Sequence, residues 1–537
     1  KGDNHTLTLI VLLTNIVNAM LNNDKNDSYI IQSNHTRVSI NFRRHNLIQI
    51  FAFAVRMIRQ LSENIEAINS FSSTKAEILE RLLFLCKECF SLENQDAGLC
   101  DDVNESMSIN ANTPEWNESF SPTSIRALYK LAVECKIEIA CECLCLLANF
   151  SCTRFCRFET NDRAAFLKSL LDGILNILKN NSLKLVNQQF YYHFFRLITL
   201  TKTNNRVREF QSLIDYEEFL ELLKNFTVTG IESMQSSSNN LLYTINAWKP
   251  IVSAYTYSNK GNNLKLDRHV LKILEVFISE RLKYFDNVVK NNIEDPLDDS
   301  SSLSQMLDVV AILSDACSSD FHNFLLECFD PLLDQLQIAF KSIASPELKL
   351  IELRLAWLVH VLSCITNCCP DGFKSSKTTH TAASIFRVFK LIALIKDTAT
   401  SKRVEKLEIA IIAFLVRFEN TYIQALSPHA SKLYRQLNEL CGISNESELM
   451  RILFNKISSN LTLPVNSYLV INVTLSFLSD LIFDGLSPKS FMTLDETVNF
   501  IKSCSFKNRT FPFLNVRHDD PDCLKIMRCR TKLFAGI

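Results

Sequence analysis

Nine glycines in 537 residues limit what this chain can fold into. A typical soluble protein carries roughly 7% glycine, which would be about 38 at this length. Sheet-rich and α/β folds draw on glycine for hairpin turns, bulges and phosphate loops, because glycine alone adopts positive φ without steric cost. A chain so poor in it has few such sites to fill, and its 12 prolines add little punctuation. What can be built from this is a long run of helices joined by short polar loops. Such a fold offers a large binding surface and no glycine-lined cradle for a cofactor.

The length would accommodate about three or four ordinary domains, yet no linker separates them. A solenoid removes the conflict, since its length is not capped by one closed core. Hydrophobic residues make up 47% of the chain and mean hydropathy is +0.05, so there is ample apolar surface to bury. The formal net charge of −1 argues against a dedicated nucleic-acid binder, which needs a basic face.

Eighteen cysteines are present, and most sit inside apolar helical runs, as do Cys141, Cys143 and Cys145, or Cys364, Cys368 and Cys369. Free cysteine packs as a small hydrophobe, so the usage fits a reducing compartment, cytosol or nucleus, rather than a disulfide framework. Asn-x-Ser/Thr triplets occur at Asn34, Asn225 and Asn460 among others. Asparagine is abundant enough for chance matches, and a glycan on Asn225 would sit awkwardly in the helical run ELLKNFTVTG. No stretch is long and apolar enough to span a bilayer. The nearest, Leu7 to Leu21, contains Asn15 and Asn18 and has neither a basic lead nor a small-residue cleavage site, so it reads as a buried helix. The chain opens on Lys1 without a methionine and stops at Ile537 inside an amphipathic pattern, so a longer parent is expected.

Helical periodicity recurs from end to end. In EKLEIAIIAFLVRFENTY, Leu407, Ile411, Phe414, Phe418 and Tyr422 fall on one face, with Glu405, Glu408 and Arg417 outside it. Leu355, Leu358, Val359, Leu362 and Ile365 form a second such stripe, and Phe166, Leu170, Ile174 and Ile177 a third. Similar runs occupy 47–69, 75–91, 123–148, 188–202, 267–290, 303–316, 320–343, 381–396, 429–440, 446–460 and 465–482. Pro296, Pro346, Pro428 and Pro464 stand at or near apparent helix starts, where proline is tolerated. The spacing from Lys402 to Asn445 matches the roughly 40–47 residues of a HEAT or armadillo unit. The expected fold is therefore all-α, a HEAT/armadillo-like α-solenoid of stacked antiparallel helix pairs, continuous over 1–537. The acidic stretch 94–122 has no apolar period and is expected to be a mobile inter-helix loop anchored by Trp116. The stretch 484–521, with Pro488, Pro512 and Pro521, is also expected to be irregular.

Chemistry-bearing motifs are sparse. There is no phosphate loop, no HExxH and no G-x-S-x-G elbow, and the ten histidines are scattered. The densest cluster is Cys135, Cys141, Cys143, Cys145, Cys152 and Cys156. On one unbroken helix Cys141, Cys145, Cys152 and Cys156 would share a face, but they would spread over more than about 20 Å at ~1.5 Å per residue. One tetrahedral ion collects all four only if the helix turns back near Asn149, so core packing is the reading and no metal is assigned. Cys86 and Cys89 have C-x-x-C spacing inside a continuous helix, which again points to packing. No catalytic or cofactor-binding residue is assigned. The candidate for partner contact is the acidic run Glu294, Asp295, Asp298 and Asp299, since clustered carboxylates steer cationic partners. A solvated loop is the alternative. Arg37, Arg43 and Arg44, and Lys525, Arg528, Arg530 and Lys532, read as solvated helix faces.

A set of phrases carries a family resemblance. AAFLKSLLDGILNILKN followed by YYHFFRLITLTKTN, then EEFLELLKNFTVTGIESM, ISERL with EDPLDD, LRLAWLVHVL, EKLEIAIIAFLVRFENTYI, SKLYRQLNELCGI, LFNKISSNL, and FPFLNV with MRCRTKLF stand in order along roughly 120–537. Together they resemble the exportin-seven and Ran-binding protein sixteen and seventeen family of the importin-β superfamily. The resemblance implies a HEAT-repeat nuclear transport receptor, an exportin or karyopherin, that binds Ran-GTP together with protein cargo. It implies contact with phenylalanine-glycine nucleoporins at the nuclear pore, shuttling between nucleus and cytoplasm, and cargo release after GTP hydrolysis. No catalysis, cofactor, nucleic acid or membrane insertion is implied. Against the family pattern, the N-terminal repeats that hold the main Ran-binding surface and the C-terminal half are missing, and the cysteine cluster at 135–156 is not a hallmark. An α-solenoid scaffold without Ran dependence is the competing reading; an enzyme comes third.

Overall fold

The computed structural model describes residues 2–21, 37–63, 73–94, 121–133, 135, 137–150, 160–180, 188–233, 238–258, 264–341, 346–366, 375–398, 404–425, 431–462, 467–483, 495–503, 511 and 528–529. They are helical almost throughout, in agreement with the glycine count. Positive φ outside glycine occurs among them only at Asn292 (49°), and among the glycines at Gly442 (69°). They divide into two compact units: Lys1–Gly230 with Asn239–Gly261, and Ile231–Ser238 with Asn262–Ile537.

The first unit holds α1 (Gly2–Leu21), α2 (Ile48–Glu63, entered through a π-helical turn at Arg43–Leu47), α3 (Ser73–Asn94), α4 (Pro122–Val133) and α5 (Glu138–Phe150). It continues with α6 (Thr160–Asn180), α7 (Gln188–Asn204), α8 (Val207–Leu213), most of α9 (Tyr216–Ser233) and α10 (Ser238–Asn246), and α11 (Lys249–Ser258). Its helices stack in two rows. One runs α1, α3, α5, α7 and the other α2, α4, α6, each helix packing on the next but one in sequence, while α2 with α3 and α4 with α5 form cross-rungs. This is the two-layer arrangement of an α-solenoid, in which each repeat buries its apolar side against its neighbours.

The second unit follows the same rule. Its helices are α12 (Leu264–Asn291), α13 (Ser300–Ser314), α14 (Ser318–Lys341), α15 (Pro346–Thr366), α16 (Ser375–Thr398), α17 (Glu405–Ala425), α18 (Ser431–Cys441), α19 (Glu446–Thr462), α20 (Tyr468–Phe483) and α21 (Asp495–Ser503). One row runs α13, α15, α17, α20 and the other α14, α16, α18; α14 with α15, α17 with α18, and α19 with α20 are the rungs. Pro346 is the first residue of α15, where its missing N–H leaves no bond unmade.

The apolar stripes lie inside as their spacing requires. Leu407, Ile411, Phe414 and Phe418 are at most 1% exposed, and so are Leu355, Leu358, Val359 and Leu362. Fully burying side chains of this size is worth roughly 1.5–3 kcal/mol each. Trp248, wholly buried between α10 and α11, donates its indole N–H to Thr227 Oγ1 at 3.0 Å. That hydroxyl in turn donates to the Leu223 carbonyl at 2.7 Å, so the buried polar atoms are paired. Two glycines have a geometric reason. Gly442 ends α18 with its N–H on Asn438 O at 3.0 Å and the positive φ of a C-terminal cap. Gly173 faces the ring of Tyr129, where an added Cβ would come within 2.2–2.4 Å of three ring atoms.

The structure departs from the sequence reading at several points. The single run expected at 123–148 is two helices, α4 and α5, packed on each other. The turn between them is closed by Ile137 N–H on Leu131 O at 3.1 Å. The apolar period runs through so short a turn without a visible break. The stretch 484–521 contains a helix, α21. Glu408, expected outside the apolar face, is 4% exposed. Residues 95–120 of the acidic stretch, with Trp116, lie outside the described residues, as do Asn34, Cys152, Cys156, Cys368, Cys369, Pro428, Pro464, Pro488, Pro512, Pro521, Lys525, Arg530 and Lys532. Among the described residues, no helix is long and apolar enough to cross a membrane.

Candidate partner-binding loop

The acidic run forms the connection from α12 to α13. Asn292, in the left-handed conformation, stops α12. Asp295 then shapes the turn by accepting the Leu297 N–H at 2.9 Å, and Asp298 N–H bonds the Asp295 carbonyl at 3.0 Å. Asp299 is the N-cap of α13: one carboxylate oxygen accepts the N–H groups of Ser301 and Ser302, each at 3.1 Å, and the other accepts the Ser302 hydroxyl at 2.5 Å. The Ser302 hydroxyl and backbone bonds hold the Asp299 carboxyl below its ordinary range. The cap satisfies helix donors that would otherwise have no partner.

Across the loop stands Lys406, in the first turn of α17. Its ammonium lies 3.8 Å from Asp295 Oδ2 and closer still to Asp298 Oδ1. Its backbone N–H donates at 2.8 Å to Glu352 Oε1 on α15. Glu352 is buried, which raises its pKa against the opposing pull of Lys349 and the α17 backbone. The loop therefore ties α12–α13 to the start of α17, and α17 to α15. Three of the four candidate carboxylates already have internal partners. Asp295 is half-buried, Asp298 and Asp299 keep solvent-facing edges, and Glu294 is exposed.

The loop is one of several charged joints in the second unit. Arg354 on α15 reaches Asp286 on α12 at 2.5 Å and the Leu282 carbonyl at 3.1 Å. Arg387 on α16 makes two bonds of 3.3 Å to Asp330 on α14. Arg451 on α19 meets Glu496 on α21 at 2.7 Å. Lys456 on α19 and Glu408 on α17 form a buried pair at 2.6 Å, with side chains 5% and 6% exposed. Each joint links two stacked helices. Sequence reading missed them because the partners lie 45 to 68 residues apart. The only local signal is a charge standing inside an apolar run, as Glu408 does in EKLEIAII.

In the first unit Cys86 and Cys89 of α3 and Cys141, Cys143 and Cys145 of α5 are buried as free thiols. Cys143 donates to the Leu83 carbonyl at 3.5 Å and Cys145 to the His193 carbonyl at 3.1 Å. Burial pushes the Cys86 thiol well up. Among the described residues no three His, Cys, Asp or Glu side chains are placed to hold a metal ion. Of the basic groups singled out, Arg37 and Arg528 are exposed.

Comparison with known proteins places these features in context. The family described as "Exportin-7-like, TPR domain" matches residues 284–521. Ran-binding protein 17 of Homo sapiens is 24% identical over 515 residues, covering 94% of this chain and 46% of that protein. Exportin-7-B of Xenopus laevis is 23% identical over 511 residues, covering 94% and 46%. Ran-binding protein 16 of Drosophila melanogaster is 24% identical over 539 residues, covering 99% and 48%. The chain spans about half the length of the curated relatives it matches.

Proposed function

With this chain a divergent relative of the exportin-7 and Ran-binding protein 16 and 17 family, we propose that it is a segment of a nuclear transport receptor. In this reading the parent binds Ran in its GTP form together with protein cargo. It crosses the pore through phenylalanine-glycine nucleoporins, shuttles between nucleus and cytoplasm, and catalyses no reaction. The observation that carries the reading is the match along nearly the whole chain, which reaches across both compact units. The two-row stacking within each unit supports it physically. Neighbouring helix pairs present a long surface to a macromolecule, and small changes at each joint adjust its curvature. If Ran-GTP and cargo prefer the same curvature, each raises the affinity of the other by the same factor.

The acidic loop keeps a reduced place in this reading. Glu294 and the outer edges of Asp298 and Asp299 are left for a cationic partner surface, while Asp295 serves the joint to Lys406. The test is a pull-down of the full-length parent with GTP-locked and GDP-bound Ran, with cargo affinity measured in each case. Preference for the GTP form with tighter cargo binding is expected. Equal cargo affinity with both forms removes the receptor reading and leaves a scaffold that assembles partners without Ran.

A further inference from the structure

His193 on α7 is 4% exposed, and its ring is aimed at two carboxylates of α5. Nε2 lies 3.2 Å from Glu138 Oε1 and 3.6 Å from Glu142 Oε1. The second oxygen of Glu142 is held by Lys87 of α3 at 2.7 Å. Three helices of one row thus meet at a single charged cluster. Two carboxylates converge there on one lysine and one imidazole, with Arg196 of α7 acting on the adjoining Cys145, and a second proton on His193 adds a positive charge against both carboxylates. The neutral ring can still donate through Nε2–H, with Nδ1 unpartnered among the described residues, so what the second proton adds is a positive charge facing the two carboxylates, and its loss leaves them with one cation fewer.

We propose that His193 is a protonation-dependent clamp: as an imidazolium it holds α7 onto α5 and, through Glu142 and Lys87, onto α3, and the joint loosens when the proton leaves. Burial presses the imidazole pKa down, but Cys145, Glu142 and Glu138 outweigh it and hold the group above its ordinary 6.5. A cationic group raised in this way stabilises the fold fully below 6.5, and the contribution is lost as pH rises through the raised value.

Among the described residues, several other groups surround the ring. On its own helix are Gln189, Tyr192 and Arg196. The Gln189 amide, with its nitrogen turned to the carboxylate, donates to the two Glu138 oxygens at 2.8 and 3.1 Å. Tyr192 meets the imidazole edge-on at 4.9 Å and Tyr243 of α10 at 4.3 Å. On α9 the contact is aromatic, Phe226 stacking on Tyr191 at 5.3 Å. α11 also packs on α7, and its one charged residue, Lys249, is exposed. On α5, burial raises the Cys145 thiol, but bonds with Cys141 and His193 bring it down to about 7. Cys145 therefore titrates in a neighbouring window and must be separated from His193 by experiment.

The test is amide hydrogen exchange of the whole chain from pH 6 to 8.5, corrected for intrinsic rates, in wild type and in His193→Gln, Glu138→Gln and Cys145→Ser. Protection across α7 is expected to fall with rising pH in wild type, by about tenfold for each unit by which folding raises the His193 pKa. The fall should vanish in His193→Gln and shrink, without vanishing, in both Glu138→Gln and Cys145→Ser, because both side chains help to hold the imidazole's proton. An undiminished fall in His193→Gln, or its disappearance only in Cys145→Ser, overturns the clamp. Should His193→Gln not fold, the His193 ring resonance of the wild-type chain decides. A titration midpoint above 6.5 supports the clamp, and one at or below it refutes it.

Discussion

Two residues, Gly173 and Arg281, expose the limits of composition and propensity at the scale of single side chains. Gly173 sits mid-helix in α6, where alanine would ordinarily gain about 1 kcal/mol in helix propensity. Its neighbour Tyr129 is buried and held by a 2.8 Å bond from its hydroxyl to Leu170 O, so the ring has no room to yield. Gly173→Ala is therefore expected to destabilise by about 1–2 kcal/mol through overpacking. In a Tyr129→Leu background the sign should reverse, and urea unfolding of the four variants in that cycle checks both statements. Arg281 poses the opposite problem. It is 2% exposed on α12, lying over Trp357 at 5.6 Å and Tyr284 at 5.7 Å, with Met306 Sδ at 3.4 Å and, among the described residues, no ion-paired carboxylate. Burial drops its pKa to about 10, and its Nε has no acceptor among the described residues. Holding this charge works against folding. Arg281→Met should leave stability unchanged or raise it by about 1–3 kcal/mol, whereas Arg281→Ala should lower it by opening a cavity beside Trp357. A shift of the urea midpoint in the same direction for both would refute the argument.

Between helices, the informative contact is the Lys456–Glu408 pair. Both side chains are almost fully buried, so removing one partner strands the other charge in the core. Lys456→Met is expected to cost about 3–5 kcal/mol, and adding Glu408→Leu to recover most of it, because two apolar groups replace the pair without an orphan. A double-mutant cycle in urea measures the coupling; additive losses would show that the pair is not acting as a unit. The same pair explains what could be read from the sequence. Helices such as α15 and α17 are legible because Leu355 to Ile365 and Leu407 to Phe418 repeat at helical spacing, and the structure buries those residues. Glu408 reads as outside the stripe because its charge argues for solvent, and the lysine that permits burial stands 48 residues further on. The acidic loop was legible as a loop. Its internal use was not, because Lys406 lies 108 residues beyond Asp298. The α4–α5 break and α21 were hidden for local reasons: a turn too short to disturb the period, and a helix of nine residues in a proline-punctuated stretch.

For the chain as a whole, the matter is how far a disturbance travels. A closed core shares strain among all its elements, whereas a stacked array distributes stability as repeat terms plus nearest-neighbour terms. Within the second unit the joints follow the array pattern: α12 to α15, α14 to α16, α15 to α17, α17 to α19 and α19 to α21 are each bridged by their own charged or hydrogen-bonded contact. A transport receptor that changes curvature to hold or release cargo needs such local joints, since each can alter its angle without unpacking the next. Lys456→Met should therefore raise hydrogen exchange in α17, α19, α20 and α21, which share that joint or pack directly on it, by roughly the 10²-fold or more that about 3 kcal/mol represents. Protection in α12, α13 and α14 should stay at the wild-type level. Exchange rising equally from α12 to α21 would mean that the second unit opens as one cooperative body. The capacity to bend joint by joint, on which the receptor reading relies, would then be absent from this part of the chain.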